Sequence, residues 1–165
     1  MEELELEQSQ PILLTPEGYQ RLQEELNRLT VVKRAEIAER IRESKDHGEF
    51  SEDNSELDEV KQEQAIVEER INQLRSILSN SEILDPVQIP TDRVGLGSVV
   101  DVQDSERGVG FRIRMVTTVE ADPDADLISE ESPLGQALMG RKVGETAEFE
   151  APAGLVRYKI MSISK

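Results

Sequence analysis

The stretch His47-Gly48-Glu49-Phe50-Ser51-Glu52-Asp53-Asn54-Ser55-Glu56 separates two long segments of helical pattern, and its reading decides the fold. It holds one glycine, one aromatic residue and the acids Glu49, Glu52, Asp53 and Glu56. Two helices joined by so short a turn must run antiparallel, which puts these acids at the far end of a rod. A rod of thirty residues spans ~45 Å at ~1.5 Å per residue. Stability gives no reason to gather acids so far from a core. The plainer alternative is a solvated turn that is acidic because turns are polar, and composition alone does not separate the two.

Upstream, Leu14-Thr15-Pro16-Glu17 reads as a helix start. Thr15 can cap free N–H groups, Pro16 suits the first turn, and Glu17 favours the positive end of the dipole. Leu22, Leu26, Leu29, Lys33, Ile37, Ile41 and Ser44 then recur with helical steps, with a stutter near Lys33 where a left-handed supercoil should straighten. Downstream, Leu57, Val60, Gln64, Val67, Ile71, Leu74 and Leu78 form an unbroken heptad seam that ends at Ser79-Asn80-Ser81. The two segments are predicted to zip into an antiparallel coiled-coil hairpin over residues 14–81. Residues 1–13 precede it as an acidic leader.

Residues 82–97, with Pro86, Pro90, Gly95 and Gly97, read as a linker. Beyond it the apolar period falls to two. Ser98 to Gln103, Phe111 to Val119, Glu145 to Glu150 and Val156 to Ile163 are predicted strands. Turns are expected at Ser105–Gly108 and Pro152–Gly154, and one helix at Pro133–Met139, capped by Ser132 and stopped by Gly140. The fold class is therefore α+β: a helical hairpin followed, over 98–165, by a small antiparallel sheet with one helix.

The 165 residues carry a formal charge of −16, which argues against sequence-independent binding to nucleic acid or an anionic membrane. With no cysteine and the single histidine His47, disulfides, thiolate chemistry and a zinc site are set aside. No signal peptide or membrane-length apolar run occurs, so a cytoplasmic protein without membrane contact is expected. An acidic cluster far from any core cannot raise its own pKa, so a self-contained general acid is not expected. Gly95-Leu96-Gly97 lacks the following helix of a phosphate loop and reads as a bend into a strand. What exposed carboxylates can do is hold Mg²⁺ weakly, beside waters and a phosphate from elsewhere. Glu49 and Glu52 thus form half of a metal site that a partner would complete. Among the basic residues Lys33, Arg34, Arg40, Arg42, Lys45 and Lys61, Lys33 and Arg34 are the candidates for guiding a polyanion. Lys33 takes a seam position that a purely structural helix would fill with an apolar residue. The others read as solvated positions paired with nearby acids.

Four blocks together are specific to a known family: Leu14-Thr15-Pro16-Glu17-Gly18-Tyr19 with Leu22; the segment from His47 to Lys61; Leu78-Ser79-Asn80-Ser81 with Ile83; and a series from Glu120-Ala121-Asp122 to Pro152-Ala153-Gly154. On these the chain resembles the bacterial transcript-cleavage elongation factors of the Gre family over residues 14–163. The resemblance implies a coiled-coil hairpin and an FKBP-like C-terminal domain without prolyl isomerase activity. It implies a monomer that is not itself an enzyme, that docks on bacterial RNA polymerase and that threads its hairpin into the secondary channel. There two tip acids would hold a second Mg²⁺ at the 3′ end of the nascent RNA, so that the polymerase cuts its own backtracked transcript. A weak DNA contact belongs to the same family-level expectation. The first tip acid matches Glu49 and the second Glu52, although one residue more than the usual spacing leaves Asp53 as an alternative. The polymerase-docking residues match Glu120, Asp122, Ser132 and Pro133. Relatives with altered tips inhibit transcription instead, so inhibition is the alternative activity, with an inert structural coiled coil as a third.

Overall fold

The computed structural model describes residues 10–48 and 55–165. Two compact units divide the chain, one of Tyr19–Ser81 and the other of Glu82–Lys165 together with the residues up to Gly18. Among the described residues no helix is long and apolar enough to cross a membrane.

The helix α1 (Pro16–Arg28) leads into the helical unit, which continues through a π-helical turn (Leu29–Lys33), α2 (Arg34–Gly48) and α3 (Ser55–Ser79). The helices run antiparallel: Glu25 pairs with Arg70, Arg34 with Glu68 and Arg40 with Glu63, one number rising as the other falls. Leu22, Leu29 and Ile37 are buried on one side of the seam, and Val60, Val67, Ile71 and Leu74 on the other. Replacing Ile71, which is 0% exposed, by alanine should cost ~2–5 kcal/mol through lost transfer energy and the cavity left behind. Glu49→Ala should leave chemical denaturation of the same unit unchanged, and equal losses for the two variants would contradict this core.

The stutter near Lys33 is resolved differently from the expected straightening. Leu22, Leu29, Ile37 and Ser44, all buried, are separated by 7, 8 and 7 residues, so the middle interval holds one residue too many. Left in a regular helix, that residue would rotate everything after it by ~100°. Instead the turn widens: the Arg34 N–H bonds to the Leu29 carbonyl, five residues back. The Thr30 hydroxyl donates back to the Leu26 and Asn27 carbonyls at 2.9 and 3.2 Å, a contact that bends helices. Val31 and Val32 are left 62% and 49% exposed, and Ile37 returns to the seam. On α3 the predicted seam residue Gln64 is exposed, and its neighbour Glu63 is half-buried instead. A cation in the seam needs a counter-charge, and Glu63 supplies it to Lys33.

The second unit centres on a five-stranded sheet of β3 (Val99–Asp104), β4 (Gly110–Val116), β5 (Leu127–Ser129), β6 (Thr146–Ala151) and β7 (Gly154–Ser164), in the order β5-β4-β3-β7-β6. The alternation seen in the sequence puts Val100, Val102, Ile113, Met115 and Ile160 on the core face. On the other face Asp101 takes a bidentate bond from Arg112 at 2.8 and 3.2 Å. The helix α4 (Pro133–Leu138) starts at Ser132, as expected, and covers the core with Leu138. Three features depart from the sequence reading. The β4–β5 pair is parallel, so the sheet is not wholly antiparallel. A further pair of short strands, β1 (Ile12–Leu14) and β2 (Ser81–Ile83), forms a two-stranded sheet. Residues 82–97 pack as part of this unit, with Leu84 and Val94 buried in it. The Gly95–Gly97 segment is the expected bend: Gly97 has φ +87° and leads directly into β3.

Candidate functional site

Glu49, Glu52 and Asp53 lie outside the described residues. Chain connectivity places them between α2, ending at Gly48, and α3, beginning at Ser55. Among the described residues no group of three or more His, Asp or Glu side chains is arranged to hold a metal ion.

Lys33 and Arg34 sit at the end of the π-helical turn and the start of α2, and both reach α3. The Lys33 Nζ lies 2.8 Å from Glu63, which also receives Arg40 at 2.6 Å. Arg34 grips Glu68 with two bonds of 2.9 and 2.6 Å. The hydrogen bonds from Lys33 and Arg40 hold the Glu63 carboxyl below its ordinary value, those from Arg34 do the same for Glu68, and Glu68 in turn raises the Arg34 guanidinium. These cations therefore act first as cross-links of the hairpin, and any phosphate must compete with a carboxylate for them.

The sign of a pH effect follows. A carboxyl whose folded pKa is depressed stabilises the fold above its unfolded pKa, and that stabilisation is lost as pH falls through the folded value. Melting temperatures of the wild-type chain and of a Glu63→Gln/Glu68→Gln variant should differ at neutral pH. They should converge as pH falls below the ordinary glutamate value of 4.5. The comparison is needed because acid also relieves the self-repulsion of a chain with charge −16. A constant difference across that range would show that the two pairs contribute nothing.

The four expected docking residues lie on the connections that follow β4. Thr118–Glu120 forms a 3-10 turn; Asp122 then caps a second one, Pro123–Ala125, by accepting from the Asp124 N–H at 3.1 Å. After β5 the Ser132 hydroxyl accepts from the Gly135 N–H at 3.0 Å and donates to the Ser129 carbonyl at 2.7 Å, fixing the start of α4. Pro133 follows as the first helical residue, where its missing N–H costs nothing. Asp122 and Pro133 are exposed and Ser132 is half-buried. Glu120 differs from them, being 4% exposed with its carboxyl oxygens turned to Thr15. Beside these loops lies an open groove of about 440 Å³, lined by Ile12, Leu96, Thr118, Glu130 and Glu131 among others. This surface is concave and partly acidic, with local hydrogen bonds fixing its rim.

Two family models match the chain in tandem. A model for the N-terminal part of transcription elongation factors covers residues 12–83, and a model for the C-terminal part of GreA/GreB transcription elongation factors covers residues 89–165. The chain is 45% identical over 157 residues to transcription elongation factor GreA of Thermoanaerobacter pseudethanolicus, covering 95% of this chain and 99% of that one. It is 46% identical over 154 residues to GreA of Acetivibrio thermocellus, covering 93% and 96%. Among solved structures, GreA factor homolog 1 of Thermus thermophilus aligns at 32% identity and a TM-score of 0.43, over 94% of this chain and 99% of that one.

Proposed function

For a chain that belongs to the GreA/GreB family of transcription elongation factors, we propose that it binds bacterial RNA polymerase and stimulates cleavage of backtracked nascent RNA in the polymerase's own active site. The observation that carries the reading is the hairpin. Two antiparallel helices, locked by ion pairs, are joined through a segment holding Glu49, Glu52 and Asp53. The cutting chemistry belongs to the polymerase, and the chain works as a monomer in the cytoplasm.

The sheet unit docks through Asp122, Ser132 and Pro133, and the hairpin enters the secondary channel. The donor set Glu49 with Glu52, or with Asp53, is all oxygen and fits Mg²⁺ shared with the polymerase and the RNA 3′ end. When bound there, Mg²⁺ supplies activation of the attacking water and charge stabilisation at the scissile phosphate. The chain's own part is to deliver carboxylates that are ionised at neutral pH without any tuning. Lys33 and Arg34 guide the RNA only by exchanging Glu63 and Glu68 for phosphate.

A channel-occupying inhibitor on the same frame is the second reading, favoured by the extra acid Asp53 in the tip. Backtracked elongation complexes separate the two. The proposed factor shortens the transcript from its 3′ end and restores elongation, whereas an inhibitor slows elongation and releases no short RNA. Failure to bind polymerase at all would remove both. Pro133→Glu should weaken polymerase binding at least tenfold while leaving the melting temperature unchanged, since Pro133 is exposed at the start of α4. Unaltered binding would move the docking surface elsewhere.

A further inference from the structure

Glu120 is the one acid among the described residues that is buried, at 4% exposure. Its carboxyl oxygens accept both polar hydrogens of Thr15, the backbone N–H at 3.1 Å and the side-chain hydroxyl. That hydroxyl in turn accepts from the Gly18 N–H at 3.1 Å, which is the capping bond of α1. Glu120 therefore orients the group that starts the helix, from a position 105 residues away in sequence. Gly18 belongs to the same arrangement. A Cβ there would fall 2.2 Å from the Glu120 Cδ and Oε1 atoms, so a larger residue would evict the carboxyl. Thr15 is itself 3% exposed, and buried N–H and hydroxyl groups are costly to leave without partners. Two further bonds run alongside: the Thr117 hydroxyl donates to the Leu13 carbonyl at 3.1 Å and the Leu84 N–H to the Leu14 carbonyl at 2.7 Å.

A side chain so buried, with its oxygens turned inward, offers little surface to a partner, in contrast to exposed Asp122 and Pro133. We propose that Glu120 is a positioning residue: it fixes the first turn of α1, from which the chain runs on toward the acidic segment, and it does not touch the polymerase. This rests on the docking and cleavage reading given above. Docking and delivery of the tip are then separable, and Glu120 serves delivery.

The test measures three quantities for Glu120→Ala, Glu120→Gln and Thr15→Val in the full-length chain. These are the polymerase Kd, the cleavage rate at saturating factor, and hydrogen exchange at the amides of Glu17 to Tyr19. Glu120→Ala is expected to leave Kd unchanged, to speed exchange in that turn, and to lower the saturating rate roughly ten- to a hundredfold, as misplacement of a reacting group does. Glu120→Gln keeps the length and an acceptor oxygen, so it should recover most of the rate. Thr15→Val removes the hydroxyl from the other side and should repeat the alanine phenotype, with exchange in β3 and β4 unchanged as the check on folding. A weaker Kd in both Glu120 variants with a normal saturating rate would overturn the proposal, because Glu120 would then contact polymerase. Unchanged exchange and rate in Glu120→Ala would overturn it equally. If the wild-type chain itself stimulates no cleavage, the functional reading is what fails. The exchange comparison then still decides whether the tie exists.

Discussion

Gly135→Ala is expected to destabilise the sheet unit by at least ~3 kcal/mol, the upper end of what overpacking a core costs. A Cβ at Gly135 would lie 1.9 Å from the Ser129 carbonyl oxygen and 2.9 and 3.0 Å from the Ser129 carbonyl carbon and the Glu130 Cα. All three are backbone atoms, so no rotamer change relieves the clash. The Ser129 oxygen is also fixed from above, accepting from the Ser132 hydroxyl at 2.7 Å and the Ser132 N–H at 3.1 Å. The helix α4 would have to lift away from β5 and expose Leu138, which is 0% accessible. For a domain of this size ~3 kcal/mol corresponds to a melting temperature lower by roughly 12–24 °C, measurable by calorimetry on the full-length chain. Gly140→Ala is the control. Gly140 has φ +80° but nothing within 4 Å of the added carbon, so only the left-handed backbone is penalised, by ~1–2 kcal/mol. Equal losses at the two positions would show that the contact of α4 with β5 is looser than the structure has it. Because α4 begins with Ser132 and Pro133, Gly135→Ala should also weaken polymerase binding, which Gly140→Ala should not.

The second large effect belongs to the acidic segment. Glu49→Ala and Glu52→Ala are each expected to lower stimulated transcript cleavage by roughly a hundredfold or more, about 2.7 kcal/mol of barrier, within the several kcal/mol that a catalytic metal contributes. Neither should alter thermal stability or polymerase affinity, because docking is proposed for the other unit. Asp53→Ala should be mild if the extra residue merely lengthens the turn. A severe Asp53→Ala beside a mild Glu52→Ala would move the second ligand to Asp53 and leave the mechanism intact.

The parts of this fold that were legible in the sequence are those fixed by local periodicity. Val60, Val67, Ile71 and Leu74 recur on one helical face and are buried as read. Val100 and Val102, Ile113 and Met115 alternate as read and line the sheet's core. What was not legible depends on partners distant in the chain. The excess residue between Leu29 and Ile37 is countable, but supercoil straightening and a π-turn both absorb it, and only the backbone shows which occurs. Leu127-Ile128-Ser129 is too short to carry a period, so β5 and its parallel pairing were missed. Glu63 displaced Gln64 because Lys33 needed an acid, a choice made between helices and not along one. Glu120 shows the same limit: the family resemblance groups it with docking residues, while its burial against Thr15 and Gly18 is made by residues far apart in the chain. A signal existed in Thr15-Pro16-Glu17-Gly18: capping explains the threonine, the proline and the acid, but not a glycine inside the first turn.

The most direct test of the central claim is a Mg²⁺ titration of transcript cleavage in backtracked complexes saturated with the wild-type chain or with the Glu49→Ala/Glu52→Ala double variant. If the acids supply part of a shared metal site, the wild-type curve should rise at lower Mg²⁺ and reach a far higher plateau. The single variants should recover part of the rate at high Mg²⁺, since a weakened site still fills by mass action. A double variant that cleaves as fast as the wild-type chain at every Mg²⁺ concentration, with equal polymerase binding, would contradict the account.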